Sequence, residues 1–141
     1  MQGPEVARWV YEATKGCLTE NTQAIGYVKD KSFIAGMVFE GFNGFNVFCH
    51  QRMTEPAPRS YWLAVADYVW NVLKVKRITG TVNASNLRAR RLDEHLGFEQ
   101  EAVLTGAADD GGDLIVYVLW PENCRVSRVI NGRQKRSSSG S

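Results

Sequence analysis

The chain has 141 residues, 44% apolar, 23% charged and 11% aromatic, with a net charge of +2. This composition is ordinary for a globular protein and excludes a disordered or collagen-like chain. There is no run of about 18 apolar residues for a membrane helix and no apolar stretch behind a basic N-terminus; three widely spaced cysteines, Cys17, Cys49 and Cys124, fit neither a disulfide framework nor a zinc site. The expectation is a soluble protein of a reducing cytoplasm, without a metal.

The elements follow in chain order. Val6, Trp9, Val10 and Ala13 recur at helical spacing and predict a helix over Pro4–Lys15, with Gly16 as its stop. Residues 17–23 read as a loop. Ala24–Lys29 and Ser32–Phe42 read as strands around the turn Asp30-Lys31. Phe45–His50 alternates and predicts a strand whose drier face carries Phe45, Val47 and Cys49. Two prolines make Met53–Pro58 a turn. Arg59–Lys74 carries a wide apolar stripe (Trp62, Val65, Ala66, Val69, Leu73, widened by Tyr61, Ala64, Tyr68 and Val72) and predicts a helix buried against a sheet.

Arg77–Asn83 reads as a strand, and Ser85–Leu96 as a helix with Ser85 as N-cap and Leu87, Ala89, Leu92 and Leu96 inward. Gly97 suits its end, and Arg90, Arg91 and His95 lie where a helix C-terminus favours positive charge. Phe98–Thr105 and Asp113–Trp120 are predicted strands joined by the turn Gly106–Gly112. The order helix, three strands, helix, strand, helix, two strands predicts one compact α/β (α+β) domain over 1–120 with a mostly antiparallel sheet.

Charge separates body from tail. Residues 1–120 hold 12 Lys and Arg and 14 Asp and Glu, a net of −2, whereas residues 121–141 hold five basic residues and one acid, a net of +4. A flexible basic tail is expected over 121–141. It lacks interleaved aromatics and follows an acidic body, which argues against nucleic acid as the partner.

Residues 77–104 carry the most informative pattern. Asn86, Ala89, Leu92, Leu96, Gly97 and Phe98 fit N-x-x-A-x-x-L-x-x-x-L-G-F between two strands, followed by the glutamates Glu99 and Glu101. This resembles the C-terminal half of the GNAT superfamily of acetyl-CoA-dependent N-acetyltransferases. The acidic-glycine turn before the last strand and the Gly36 within Ile34–Val38 resemble it too, over residues 24–120. Short GNAT-like proteins of phage and prophage genomes are the most similar kind, also through Asn123-Cys124-Arg125.

The resemblance implies a GNAT-like mixed sheet with flanking helices, in which two neighbouring parallel strands, here Phe45–His50 and Arg77–Asn83, splay apart and receive acetyl-CoA. The pyrophosphate would meet the start of the next helix, Arg59-Ser60-Tyr61, where free N–H groups and the helix dipole favour an anion. Asn86 would bond the pantetheine arm. A primary amine, small molecule or protein, would attack the thioester directly in a ternary complex, without a metal. His50, at the end of the first splayed strand, is the candidate general base; Glu40 and Glu55 are weaker, solvated alternatives. His95 reads as a helix-end charge and Cys49 as core.

Three features depart from the family. The segment Pro56–Ala64 has no glycine where the family carries R/Q-x-x-G-x-G/A, so the backbone is less free to approach a pyrophosphate. Asp93 stands where many members place the tyrosine that protonates the thiolate. The Pro4–Lys15 helix stands where the family has its first strand. These departures keep an alternative open: a catalytically weak or inactive GNAT-fold protein that binds a host protein partner. A homodimer is also left open.

Overall fold

In a computed structural model of the chain, residues 2–14 and 23–126 are described. The expectations for Lys15, Gly16, Cys17, residues 17–22 of the loop read over 17–23, and the tail from residue 127 lie outside them; Gln23, the last residue of that loop, instead opens a strand. The described chain divides into two compact units, Met1–Val75 and Lys76–Ser141.

In the first unit, α1 (Pro4–Thr14) precedes β1 (Gln23–Lys29), β2 (Ser32–Glu40) and β3 (Asn46–Met53), and α2 (Arg59–Asp67) follows. The three strands form an antiparallel meander, β1 against β2 and β2 against β3. Asp30 and Lys31 join β1 to β2 with φ of 50° and 67°. Two successive left-handed residues make the type I′ turn whose twist suits a two-residue hairpin. Gln2 forms an isolated antiparallel bridge to Ile25, so the chain touches the β1 edge before α1 begins.

Side-chain alternation sends successive residues of β2 and β3 to opposite helices. Val38 joins Val6, Ala7, Val10, Tyr11 and Ala24 in the core beneath α1. Gly36 lets α1 come close: a Cβ there would press on Val10 and the Trp9 ring. On the other side, Phe39 meets Tyr68 with ring centroids 5.4 Å apart. Val47 and Cys49 are buried as expected, whereas Phe45 precedes β3 and is 67% exposed.

The helix expected over Arg59–Lys74 is α-helical only to Asp67. Tyr68–Val72 form a π turn, in which the Leu73 N–H reaches the Tyr68 carbonyl at 2.8 Å. The wider register shifts the stripe, so Val69 and Val75 are buried while Val72 is exposed.

In the second unit, β4 (Arg77–Asn83), β6 (Leu114–Leu119) and β5 (Glu99–Leu104) form an antiparallel sheet in which β6 pairs both others. The helix α3 (Leu87–Leu96) connects β4 to β5. Its N-cap is Asn86, whose side chain accepts the Ala89 N–H at 3.2 Å, and not Ser85. Ser85 instead donates to Asp110 in the acidic turn, at 2.6 Å. Leu96 is buried and Leu92 half-buried, but Leu87, expected to face inward, is exposed. Gly97 ends α3 with φ 109°, and Phe98 follows into the core.

Glu101 bulges out of the β5–β6 ladder, where the pairing slips between Gln100 and Ala102. It takes the Arg77 guanidinium in a two-pronged ion pair of 2.9 and 3.0 Å. Pro121–Asn123 form a 3-10 turn after β6 and Cys124 is buried, so packed structure runs past residue 120. Among the described residues, no helix is long and apolar enough to cross a membrane.

Candidate functional site

The β2–β3 register creates the most distinctive polar cluster of the first unit. Val38 stands opposite His50, and Glu40 opposite Phe48. Glu40 and His50 are therefore diagonal neighbours on one face, within reach of long side chains. His50 Nε2 lies 2.7 Å from Glu40 Oε1. From α1, the Tyr11 hydroxyl donates to Glu40 Oε2 at 2.6 Å. The Tyr11 and His50 rings meet edge-on with centroids 6.0 Å apart.

His50 thus lies inside β3, three residues before its end, and not at the strand terminus. Its side chain is 29% exposed and that of Glu40 33%, so the pair is held by the fold yet open at one side. Partial burial works to raise the Glu40 pKa. The hydrogen bonds from Tyr11 and His50 and the attraction of His50 outweigh it, and Glu40 stays below the ordinary carboxylate value. Glu40 is therefore no solvated bystander. Glu55, by contrast, is exposed and pairs with Lys29 at 3.2 Å. Tyr11 carries no signal in the sequence beyond lying within a predicted helix, off the residues that mark its apolar stripe.

Two residues on from His50, on the same face, Arg52 is engaged elsewhere. Its guanidinium lies over the Trp9 ring, 4.3 Å from the centroid, donates to the Trp9 carbonyl at 2.9 Å and stands 3.6 Å from Glu12.

The start of α2 has Pro58 at the N-cap and no side-chain cap. Arg59 and Ser60 are exposed there. Tyr61 is different. Its ring is buried and packs edge-on against Trp62 with centroids 5.0 Å apart, and its N–H donates to the Pro58 carbonyl at 3.0 Å. Burial, together with the neighbouring Cys49, pushes its pKa far up. The Tyr61 N–H is already bonded and its side chain is buried, whereas Arg59 and Ser60 are the exposed residues at this helix start.

In the second unit, the Asn86 oxygen is used in capping α3. Asp93 is buried, and its backbone carbonyl accepts the Phe98 N–H at 2.9 Å. The fully buried Tyr117 sends its hydroxyl to Glu94 at 3.1 Å and receives Arg90 at 3.2 Å, and Arg90 also reaches the Ala84 carbonyl. His95 is exposed. Among the described residues, no group of three or more His, Cys, Asp or Glu side chains stands where it could hold a metal ion.

The sequence matches no protein-family model and no curated protein. Solved structures do match. A protein of T. thermophilus assigned as an acetyltransferase is 19% identical, with a TM-score of 0.65 over 82% of this chain and 68% of that one. The spermidine N-acetyltransferase SpeG of Vibrio cholerae, as its F149A mutant, is 18% identical, with a TM-score of 0.60 over 82% of this chain and 74% of that one. A GNAT-family acetyltransferase of Bacillus anthracis is 16% identical, with a TM-score of 0.58 over 72% of this chain and 67% of that one. The chain has the α/β fold of the GNAT acetyltransferases.

Proposed function

We propose that the protein transfers an acetyl group from acetyl-CoA to a primary amine, of a small molecule or a protein, with His50 as the general base. The observation that carries this reading beyond the fold is the His50–Glu40 contact at 2.7 Å, a titratable base held by a carboxylate and still open to solvent. An amine is an ammonium ion at neutral pH and must lose a proton before it can attack a thioester. In this reading His50 takes that proton, the amine attacks the carbonyl in a ternary complex, the C–S bond breaks, and the thiolate leaves as the thiol with the further proton that the nitrogen loses on becoming an amide.

The uncapped start of α2 supports the other half of the reaction. With no side-chain cap at Pro58, the N–H groups of Arg59 and Ser60 and the helix dipole favour an anion there, and Arg59 adds a charge-assisted contact to the pyrophosphate. Ser60 lies beside it, and the amide hydrogens of Asn86 are assigned to the pantetheine arm. The proposal adds no metal. It sets the protein in the cytoplasm, that of the host where a phage encodes it.

One observation favours a second reading, in which the fold binds a protein partner instead. Phe42, Phe45 and Phe48 are 49%, 67% and 44% exposed around a single hairpin. The test is direct. Protein and acetyl-CoA are incubated with spermidine, a lysine-containing peptide and an arylalkylamine, and products are read by mass spectrometry. An acetylated amine that forms only with protein is the expected result. If none of the three is acetylated, the second reading takes precedence.

A further inference from the structure

Outside the roles given above, the hydrogen-bond pattern at Glu40 holds information about which atom of His50 is available for chemistry. The Glu40 carboxylate uses its two oxygens on two partners, Oε1 on His50 Nε2 and Oε2 on the Tyr11 hydroxyl. An ionised carboxylate only accepts hydrogen bonds. Both partners must therefore donate. A neutral imidazole has one N–H, and here it sits on Nε2, which leaves the lone pair on Nδ1.

We infer that Tyr11 and Glu40 are positioning residues that fix His50 in its Nε2–H tautomer, so that Nδ1 is the atom that accepts the proton of the incoming ammonium group. This rests on the acetyl-transfer reading above. The step balances simply. One N–H bond of the ammonium breaks, its electron pair stays on the amine nitrogen, and an N–H bond forms at Nδ1. The ring becomes an imidazolium whose Nε2–H still points at the Glu40 carboxylate, so the new positive charge arises beside a negative one.

Three elements hold this arrangement. Glu40 ends β2, His50 lies in β3, and Tyr11 arrives from α1, whose Val10 and Ala7 are buried in the core with Val38. Arg52, the nearest cation on the same strand face, is held by Trp9 and Glu12. Tyr11 is 7% exposed and acts through Glu40, with its hydroxyl committed to that carboxylate.

The test reads the tautomer directly. The full chain is labelled with ¹⁵N-histidine, and two-bond ring ¹H–¹⁵N correlations of His50 are recorded with the ring neutral, with His50→Ala used for assignment. The expected spectrum is that of the Nε2–H tautomer. In Glu40→Gln the side-chain amide can donate to Nε2, so the expected spectrum moves to the Nδ1–H tautomer or to a mixture. In Tyr11→Phe the tautomer is retained but less completely. With any amine that wild type acetylates, Glu40→Gln is expected to lower kcat by about 100-fold or more, with the acetyl-CoA KM unchanged. Tyr11→Phe is expected to lower kcat about threefold to tenfold in the same manner.

A wild-type spectrum with the hydrogen on Nδ1, or in even exchange between both nitrogens, overturns the inference. So does a tautomer that neither variant alters. Should Glu40→Gln fail to fold, the wild-type spectrum and Tyr11→Phe still decide. An Nε2–H tautomer in a wild type that acetylates none of the three amines contradicts the acetyl-transfer reading instead, so the two failures are distinct.

Discussion

The Glu40 carboxylate meets His50 Nε2 at 2.7 Å across the β2–β3 hairpin, the two residues standing ten positions apart in the chain. The contact exists because Val38 and not Glu40 is the direct partner of His50, which sets the two polar groups diagonally on the face that α1 covers. A slip of one residue would send His50 to the opposite face. The candidate base is therefore tied to strand register.

His50→Ala is expected to reduce kcat for amine acetylation by about 100-fold at neutral pH, within the range for loss of a general base. The acetyl-CoA KM should not change, because the His50 side chain lies on the α1 side of the sheet, against Tyr11, and not among the residues assigned to the pyrophosphate. Steady-state kinetics with the best of the three amines measures both. A kcat within about twofold of wild type would remove His50 as the base.

Arg59→Ala is expected to raise the acetyl-CoA KM by about fivefold to tenfold, with little change in kcat. A charge-assisted contact to a phosphate remote from the reacting carbonyl is felt equally in ground and transition states. An unchanged KM would place the pyrophosphate elsewhere.

Glu40 links the cluster to pH. Its folded pKa is lowered from 4.5, so the ionised carboxylate stabilises the native state above that pH, and the contribution disappears as pH falls through the folded value. Tyr11→Phe removes one donor and should cost about 1 kcal/mol where Glu40 is ionised. Thermal melts of wild type and variant from neutral pH down to about pH 3 should converge at the acid end. A gap that stays constant with pH would show that the Tyr11 hydroxyl does not act through the ionised carboxylate.

Gly97→Ala tests the packing of the second unit. At φ 109° an alanine is strained, and its Cβ would run into the Asn123 carbonyl. A loss of about 2–3 kcal/mol is expected, seen as a fall in Tm of several degrees. A melt unchanged from wild type would contradict the close approach of Asn123 to the α3 end.

The strand Arg77–Asn83 and the helix stop at Gly97 are legible in the residues, since alternation and a single left-handed glycine are local signals. The N-cap lies one residue beyond the expected Ser85, because Ser85 and Asn86 are both good caps and only the acidic turn, 25 residues away, draws Ser85 off. The π turn at Tyr68–Val72 is hidden in the sequence because its apolar residues fit an α-helical stripe equally well. His50 stands out by its chemistry. Glu40 and Tyr11 do not, because their association with it depends on the pairing register and on where α1 packs, and neither is written in any short stretch of chain. Likewise, Tyr61 looks polar enough to greet a phosphate until its burial against Trp62 is known.

The central claim, that this chain binds acetyl-CoA, is tested most directly by thermal melts of the full chain in rising acetyl-CoA. A ligand held by the native state alone adds about 2.7 kcal/mol at a hundred times its Kd, so Tm should climb by several degrees and keep climbing with concentration. Arg59→Ala should need more ligand for the same shift. A Tm that does not move at millimolar acetyl-CoA would contradict the account.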